Sequence, residues 1–139
     1  DAYLKSVLSS VRVIAMVGAS MTPGKPSYVT MEYMQSKGFR VIPVNPAAQN
    51  QTVLGEKIYA DMADIPSSLT IDMVDIFRNS EAAGAVTDQA IALKQARGIS
   101  VVWMQLEVVN VAAADRASAA GLKVIMDRCP KIEYARLFP

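Results

Sequence analysis

The stretch RVIAMVGAS, residues 12–20, decides the fold. After Arg12 the residues are apolar without interruption up to Gly18, a pattern typical of a parallel strand buried on both faces. Gly18 ends this run, and apolar residues then recur at helical spacing between residues 27 and 37. The pattern predicts a strand, a tight glycine turn and a helix.

The same alternation of strand and helix continues along the chain. Further strands are predicted at 40–44, 71–77, 99–106 and 122–126, with a small extra strand at 57–59. Further helices are predicted at residues 1–8, 80–97, 110–121 and from 130 onward, with a helical turn at 61–65. This order predicts a doubly wound α/β fold, with about five parallel strands, helices on both faces and one domain over residues 1–139.

Composition limits the classes of protein to consider. A chain of 139 residues with 52% hydrophobic residues is long enough to bury one core. Its 14 Lys and Arg against 13 Asp and Glu leave no charge excess for nucleic acid. No apolar run approaches the roughly 18 residues of a membrane span and no export signal opens the chain, so we expect a cytoplasmic protein. With no His and one cysteine, Cys129, we expect neither a zinc site nor an internal disulfide.

In a doubly wound sheet, ligands bind beyond the carboxyl ends of the strands, near the point where the strand order reverses. Five segments that follow predicted strands are therefore expected at this edge: 18–20, 45–46, 77–80, 105–107 and 127–129. Because the net charge is only +1, an anionic ligand must be held by local geometry.

Residues 18–27, GASMTPGKPS, are close to a phosphate-binding loop but match no standard pattern. For a Walker A loop, Gly18 lies one residue too early and Pro26 replaces the hydroxyl that would hold Mg²⁺. The dinucleotide pattern G-x-G-x-x-G fails because Ser20 occupies the second glycine position. We expect unpaired backbone N–H groups in this turn to bind phosphate, helped by Ser20 and Lys25. In the alternative interpretation, Gly18 only permits a sharp turn.

The loops after the second and third strands supply further candidates. Asn45 stands where an NAD site usually has a carboxylate, which disfavours NAD and leaves room for a nucleotide with an extra ribose phosphate. Pro46 either stiffens this loop or contacts the ligand. Phe77 offers an apolar contact, and Arg78 offers a guanidinium suited to phosphate, unless it is a solvated surface residue. The next helix is capped by Asn79 or by the serine after it.

Two titratable residues outside these loops have both a functional and a structural interpretation. Asp75 lies inside an apolar strand, where a general base is possible but pairing with a loop or helix start is the favoured interpretation. Cys129 precedes Pro130 at a predicted helix start, and a packed thiol is favoured over a reactive one. We expect Trp103 and the methionines to be core residues.

Six segments, taken together and in order, resemble the small stand-alone CoA-binding proteins of bacteria and archaea. Those proteins are similar to the N-terminal domain of the succinyl-CoA ligase alpha subunit. The resemblance runs from about residue 13 to residue 137 and rests on these segments: VGASMTPGKPSYVTMEYM, GFRVIPVNP, LGEKIYADMADIP, DMVDIFRNSEAAGAV, VVWMQL and GLKVIMDRCPKIEYARL.

This resemblance implies a Rossmann-like fold that binds coenzyme A, with the 3′-phospho-ADP part lying across the strand ends. By position, it implies that three loops hold the cofactor through Gly18, Ala19, Ser20 and Lys25, through Val44, Asn45 and Pro46, and through Phe77, Arg78 and Asn79. The family usually has a glycine after WMQL, where this chain has Glu107. That substitution is expected to cost backbone strain or to repel an anionic ligand.

We therefore expect non-catalytic binding of CoA or an acyl-CoA by a sensor or accessory module, with no catalytic residue and no metal. One alternative is an NAD(P)-binding regulator or a small oxidoreductase. Another is an enzyme that acts on CoA thioesters through Asp75, Glu107 or Cys129. Neither nucleic acid nor membrane is an expected partner, and the acyl group and any protein partner stay open.

Overall fold

Five parallel strands form the central sheet in the computed structural model, which describes residues 1–139. The chain's strands are β1 (Val13–Val17), β2 (Arg40–Val44), β3 (Thr52–Val53), β4 (Glu56–Lys57), β5 (Met73–Ile76), β6 (Val101–Met104) and β7 (Lys123–Ile125). The central sheet has the order β2-β1-β5-β6-β7, and β3 pairs with β4 in a separate antiparallel hairpin. The predicted doubly wound α/β fold is confirmed.

Five α-helices connect or flank these strands. They are α1 (Ala2–Ser10), α2 (Pro26–Ser36), α3 (Ser80–Arg97), α4 (Val111–Ala119) and α5 (Pro130–Leu137), and short 3-10 turns occupy Pro46–Ala48 and Met62–Asp64. Side-chain oxygens of Asn79 and Asn110 cap α3 and α4, which satisfies N–H groups that a helix start would otherwise leave unpaired. None of the helices is long and apolar enough to cross a membrane.

The sheet separates two apolar cores. Helices α1, α2 and α5 cover one face, where Leu8 and Met31 pack with Trp103. Helices α3 and α4 cover the other face, where Ala83 and Ala113 pack against the sheet. Successive strand residues alternate between the two cores because side chains alternate across a strand. This double burial explains why the central strands read as continuous apolar runs.

The strand order reverses between β1 and β5. From β1 the chain proceeds to β2 on one side, whereas β5, β6 and β7 follow on the other side. The turn at Gly18 and the loop that starts at Phe77 therefore lie next to each other at the carboxyl edge. Gly18 has a φ of 90°, and a Cβ at this position would overlap the Phe77 carbonyl oxygen and lie 3.0 Å from Arg78 Cδ. Only glycine suits both the backbone conformation and the close approach.

The predicted small strand at residues 57–59 is only partly correct. Lys57 belongs to the β3–β4 hairpin, while Tyr59 forms a single parallel bridge with Val44. The hairpin turns through Leu54 and Gly55, which both have positive φ values, of 48° and 82°. A two-residue hairpin loop needs such values, but it more often has asparagine or aspartate before the glycine. The sequence therefore carried a weak hairpin signal.

The effect of the close approach at Gly18 can be separated from the effect of its positive φ. Gly24 has nearly the same φ, 89°, but a Cβ there would meet no atom within 4 Å. We expect Gly18→Ala to lower the free energy of unfolding by roughly 2–5 kcal/mol, through strain and overlap together. Gly24→Ala should lose only about 1–2 kcal/mol, from strain alone. Urea unfolding of both variants measures this difference, and equal losses would contradict the close approach.

Candidate functional site

A cleft of about 610 Å³ opens at the carboxyl ends of β5 and β6. Small-molecule sites in proteins commonly have volumes of about 300–1,000 Å³. The lining residues come from the start of α2, the loop after β5 and the loop after β6: Pro26, Phe77, Arg78, Asn79, Gln105, Leu106, Glu107 and Val108. Three of the ten predicted binding residues, those at 77–79, therefore line one cleft at the predicted edge.

The loop after β5 presents a row of unpaired backbone donors. The N–H groups of residues 78–81 donate to no acceptor within the chain, whereas the N–H of Ala82 donates to Asn79 Oδ1 at 2.8 Å. These free groups lie at the N-terminus of the 18-residue helix α3, where the helix dipole favours an anion. The exposed side chain of Arg78 adds a full positive charge and makes no ion pair. This arrangement is suited to a phosphate.

The first predicted loop has paired amides at its beginning. Both Gly18 and Ala19 donate their N–H groups to the Val44 carbonyl, at 2.9 and 3.3 Å. The N–H of Ser20 donates to the hydroxyl of Ser27 at 2.8 Å. The amides at 18–20 are therefore paired with the end of β2 and the start of α2. The predicted unpaired N–H groups are instead found where α2 begins, at Ser27 and Tyr28, whose N–H groups donate to no acceptor within the chain. A ligand-binding role for these residues stays a prediction.

The second predicted loop is hydrogen-bonded to the first. Asn45 donates its side-chain N–H to the Ala19 carbonyl at 2.7 Å and accepts from the Ala47 N–H at 3.0 Å. Both ends of its amide are thus used within the protein. Val44 is buried, and Pro46 is exposed at the start of a 3-10 turn. This loop thus stabilises the turn after β1 through hydrogen bonds. Contacts between its residues and a cofactor stay a prediction.

Lys25 lies at the N-cap position of α2, directly before the cleft residue Pro26. Its side chain is exposed and has neither an ion pair nor a hydrogen bond within the chain. The amine therefore has no partner within the chain, and its contact with an anion stays a prediction.

Residues 105–107 lie at the predicted edge of the sheet, and three of the cleft-lining residues come from this segment, although none of them is in the predicted binding set. Gln105 is nine-tenths buried, and its side-chain oxygen Oε1 has no hydrogen-bond partner. Glu107 adopts a φ of 68° and donates its N–H to Asp127 Oδ1 at 2.7 Å. The available signal was a polar residue directly after an apolar strand, at the position where such folds bind ligands.

The predicted pairing of Asp75 is wrong. Its side chain is 1% exposed, and neither carboxylate oxygen has a hydrogen-bond partner. Its neighbours in strand register are Met16 and Trp103, and Trp103 donates its indole N–H to the Arg128 carbonyl instead. Burial raises the pKa of Asp75 well above its ordinary value, because the charged form loses its hydration.

Cys129 is buried at the start of α5, where its Sγ lies 3.6 Å from Thr30 Oγ1. The residue does not line the cleft. This placement favours the packed interpretation of the thiol.

Proteins similar to this chain are found in bacteria and archaea. A family described as CoA binding domain matches residues 12–135. The uncharacterised protein YneT of Bacillus subtilis (strain 168) is 33% identical over 134 residues, which make up 96% of this chain and 93% of that protein.

Solved structures also match most of the chain. A hypothetical protein from Pyrococcus horikoshii OT3 has a TM-score of 0.88 and 34% identity, covering 99% of this chain and 92% of that one. A Thermus thermophilus protein has a TM-score of 0.88 and 31% identity, covering 99% and 98%. The dinucleotide-forming acetyl-coenzyme A synthetase 1 of Ca. Korarchaeum cryptofilum has a TM-score of 0.66 and 25% identity, and the match covers 84% of this chain but 26% of that one.

The burial of Asp75 predicts an unusual dependence of stability on pH. Its raised pKa means that the folded chain keeps a proton that the unfolded chain releases above a pH of about 3.9. The penalty from Asp75 thus grows by up to about 1.4 kcal/mol per pH unit, until the pH passes the folded-state pKa. We expect Asp75→Asn to be more stable than the natural chain at pH 7, with an advantage that shrinks toward pH 4.

Thermal or urea unfolding between pH 4 and pH 8 measures this effect. Asp115→Asn is the control, because Asp115 is exposed on α4 and makes no ion pair. Its stability should follow that of the natural chain at every pH. A constant difference between Asp75→Asn and the natural chain would contradict the proposed cause.

Proposed function

The chain belongs to the family of CoA binding domains, and from that premise we propose that it binds coenzyme A or an acyl-CoA without transforming it, as a sensor or accessory module. The observation that carries this proposal is the row of unpaired N–H groups at residues 78–81, beside the free guanidinium of Arg78. This row lies where the strand order reverses, the place where doubly wound sheets bind their ligands.

The charges of CoA match this arrangement. CoA carries a diphosphate and a further ribose phosphate, so it needs several donors within a small region. The helix start at α3 offers backbone donors, while Arg78 and Lys25 offer two exposed cations without internal partners. Together they can hold phosphate oxygens although the chain's net charge is only +1.

The cleft also offers apolar surface beside the phosphate donors. Phe77, Leu106 and Val108 line it together with Arg78. Such a mixture suits a ligand that joins phosphates to an adenine ring and a long uncharged arm. The absence of a carboxylate after β2, where Asn45 is engaged within the protein, counts against NAD.

Binding without reaction is supported by the groups that line the cleft. Its titratable side chains are Arg78 and Glu107, which do not form a nucleophile with an adjacent base. The other two candidates for catalysis, Asp75 and Cys129, are buried and do not line it. We therefore propose that acyl thioesters are held intact, and a cytoplasmic location stays a prediction.

Calorimetric titration with CoA, acetyl-CoA, NAD, NADP and ATP tests the proposal. We expect CoA and acetyl-CoA to bind more tightly than the other three compounds. Acetyl-CoA should be recovered intact after incubation, as measured by the release of free thiol. Tighter binding of NAD or NADP, or thiol release above the rate in buffer, would reject the proposal.

The role of Arg78 can be tested with a matched arginine variant. We expect Arg78→Ala to weaken CoA binding by roughly 1.5–3 kcal/mol, because a hydrogen bond to a charged group is lost. Arg12→Ala is the control, since Arg12 is also exposed but precedes β1 at the opposite edge of the sheet. Its affinity for CoA should stay within about twofold of the natural chain. An unchanged affinity in Arg78→Ala would remove this residue from the site.

A further inference from the structure

Glu107 is the one acidic residue among those that line the cleft. Its side chain is exposed, and the five ion pairs of the chain all involve other residues. Arg78 lines the same cleft and is equally free of internal partners. The cleft therefore carries one uncompensated positive charge and one uncompensated negative charge, each available to a ligand.

These two charges act in opposite ways on the phosphates of a ligand. Phosphate oxygens are attracted to Arg78 and to the free N–H groups of residues 78–81. They are repelled by the Glu107 carboxylate. The anionic end of CoA is thus favoured near Arg78 and away from Glu107.

The backbone at Glu107 is held from two sides. Its N–H donates to Asp127 Oδ1 at 2.7 Å, and its carbonyl accepts from the Ser80 hydroxyl at 3.4 Å. The same hydroxyl accepts from the N–H of Val109 at 3.0 Å. These contacts keep a non-glycine residue at a φ of 68°, which its side chain would otherwise disfavour. The carboxylate is therefore attached to a fixed segment of the cleft wall.

We propose that Glu107 selects the acyl group, so that the cleft accepts CoA thioesters with neutral or positively charged acyl ends and rejects those whose acyl group ends in a free carboxylate. This inference rests on the proposed binding of CoA. The physical cause is repulsion between two like charges in one cleft, while a neutral chain can cover the exposed apolar side chains of Leu106 and Val109 beside it.

Butyryl-CoA and succinyl-CoA provide the test, because both have four-carbon acyl groups and only the latter ends in a carboxylate. We expect the natural chain to bind butyryl-CoA at least about fivefold more tightly than succinyl-CoA. In Glu107→Gln, which removes the charge and keeps the shape, the ratio of the affinities for butyryl-CoA and succinyl-CoA should fall to about one. CoA itself should bind both proteins, and calorimetry measures all three ligands.

Two further variants complete the test. Glu107→Gly removes the same charge and suits a positive φ, so it keeps the test valid if Glu107→Gln folds poorly. Glu32→Gln is the control, because Glu32 is exposed on α2, has no ion pair and does not line the cleft. It should keep the natural ratio.

The outcomes separate the two proposals. If CoA binds but the Glu107 variants keep the natural ratio of the affinities for butyryl-CoA and succinyl-CoA, the proposed selection of the acyl group is overturned. The proposed function then stays in place. A natural chain that prefers succinyl-CoA would lead to the same conclusion. A natural chain that binds none of the three ligands would overturn both.

Discussion

The close approach of two loops at Gly18 is the constraint on which the carboxyl edge depends. Because residue 18 has no side chain, the Phe77 carbonyl can lie against it, and the Phe77 N–H donates to the Val17 carbonyl at 2.8 Å. The end of β5 is thereby fixed next to the end of β1. The following four N–H groups begin α3 without an internal acceptor. A larger residue at position 18 would displace the same segment that offers these donors.

The loops at this edge of the sheet differ in their hydrogen bonds. The turn after β1 and the loop after β2 bond to each other through the Val44 carbonyl and the Asn45 side chain, so the amides of Gly18 and Ala19 already have acceptors within the protein. The loop after β5 is anchored by them and keeps its own donors free. In the proposed function, these oriented dipoles and the cation of Arg78 would allow a nearly neutral chain to bind an anion. Glu107, on the loop after β6, adds a negative charge to the same cleft.

Much of the fold could be predicted from local sequence. Apolar runs, helical spacing and caps such as Asn79 depend on neighbouring residues, and the edge that carries the cleft follows from topology. The pairing of the amides at 18–20 was not predictable, because their acceptors include a carbonyl in another strand. The isolation of Asp75 likewise depends on its register with Met16 and Trp103. Local patterns thus predict the elements, whereas tertiary contacts decide which polar groups stay free.

Backbone NMR during a titration with CoA tests the central claim most directly, because it reports on each amide separately. If the free donors at the start of α3 hold the phosphates, the N–H signals of residues 78–81 should show the largest shifts. The N–H groups of residues 18–20, which already have protein acceptors, should shift less. Saturation with CoA that leaves residues 78–81 unshifted, or that shifts residues 18–20 most, would contradict this arrangement.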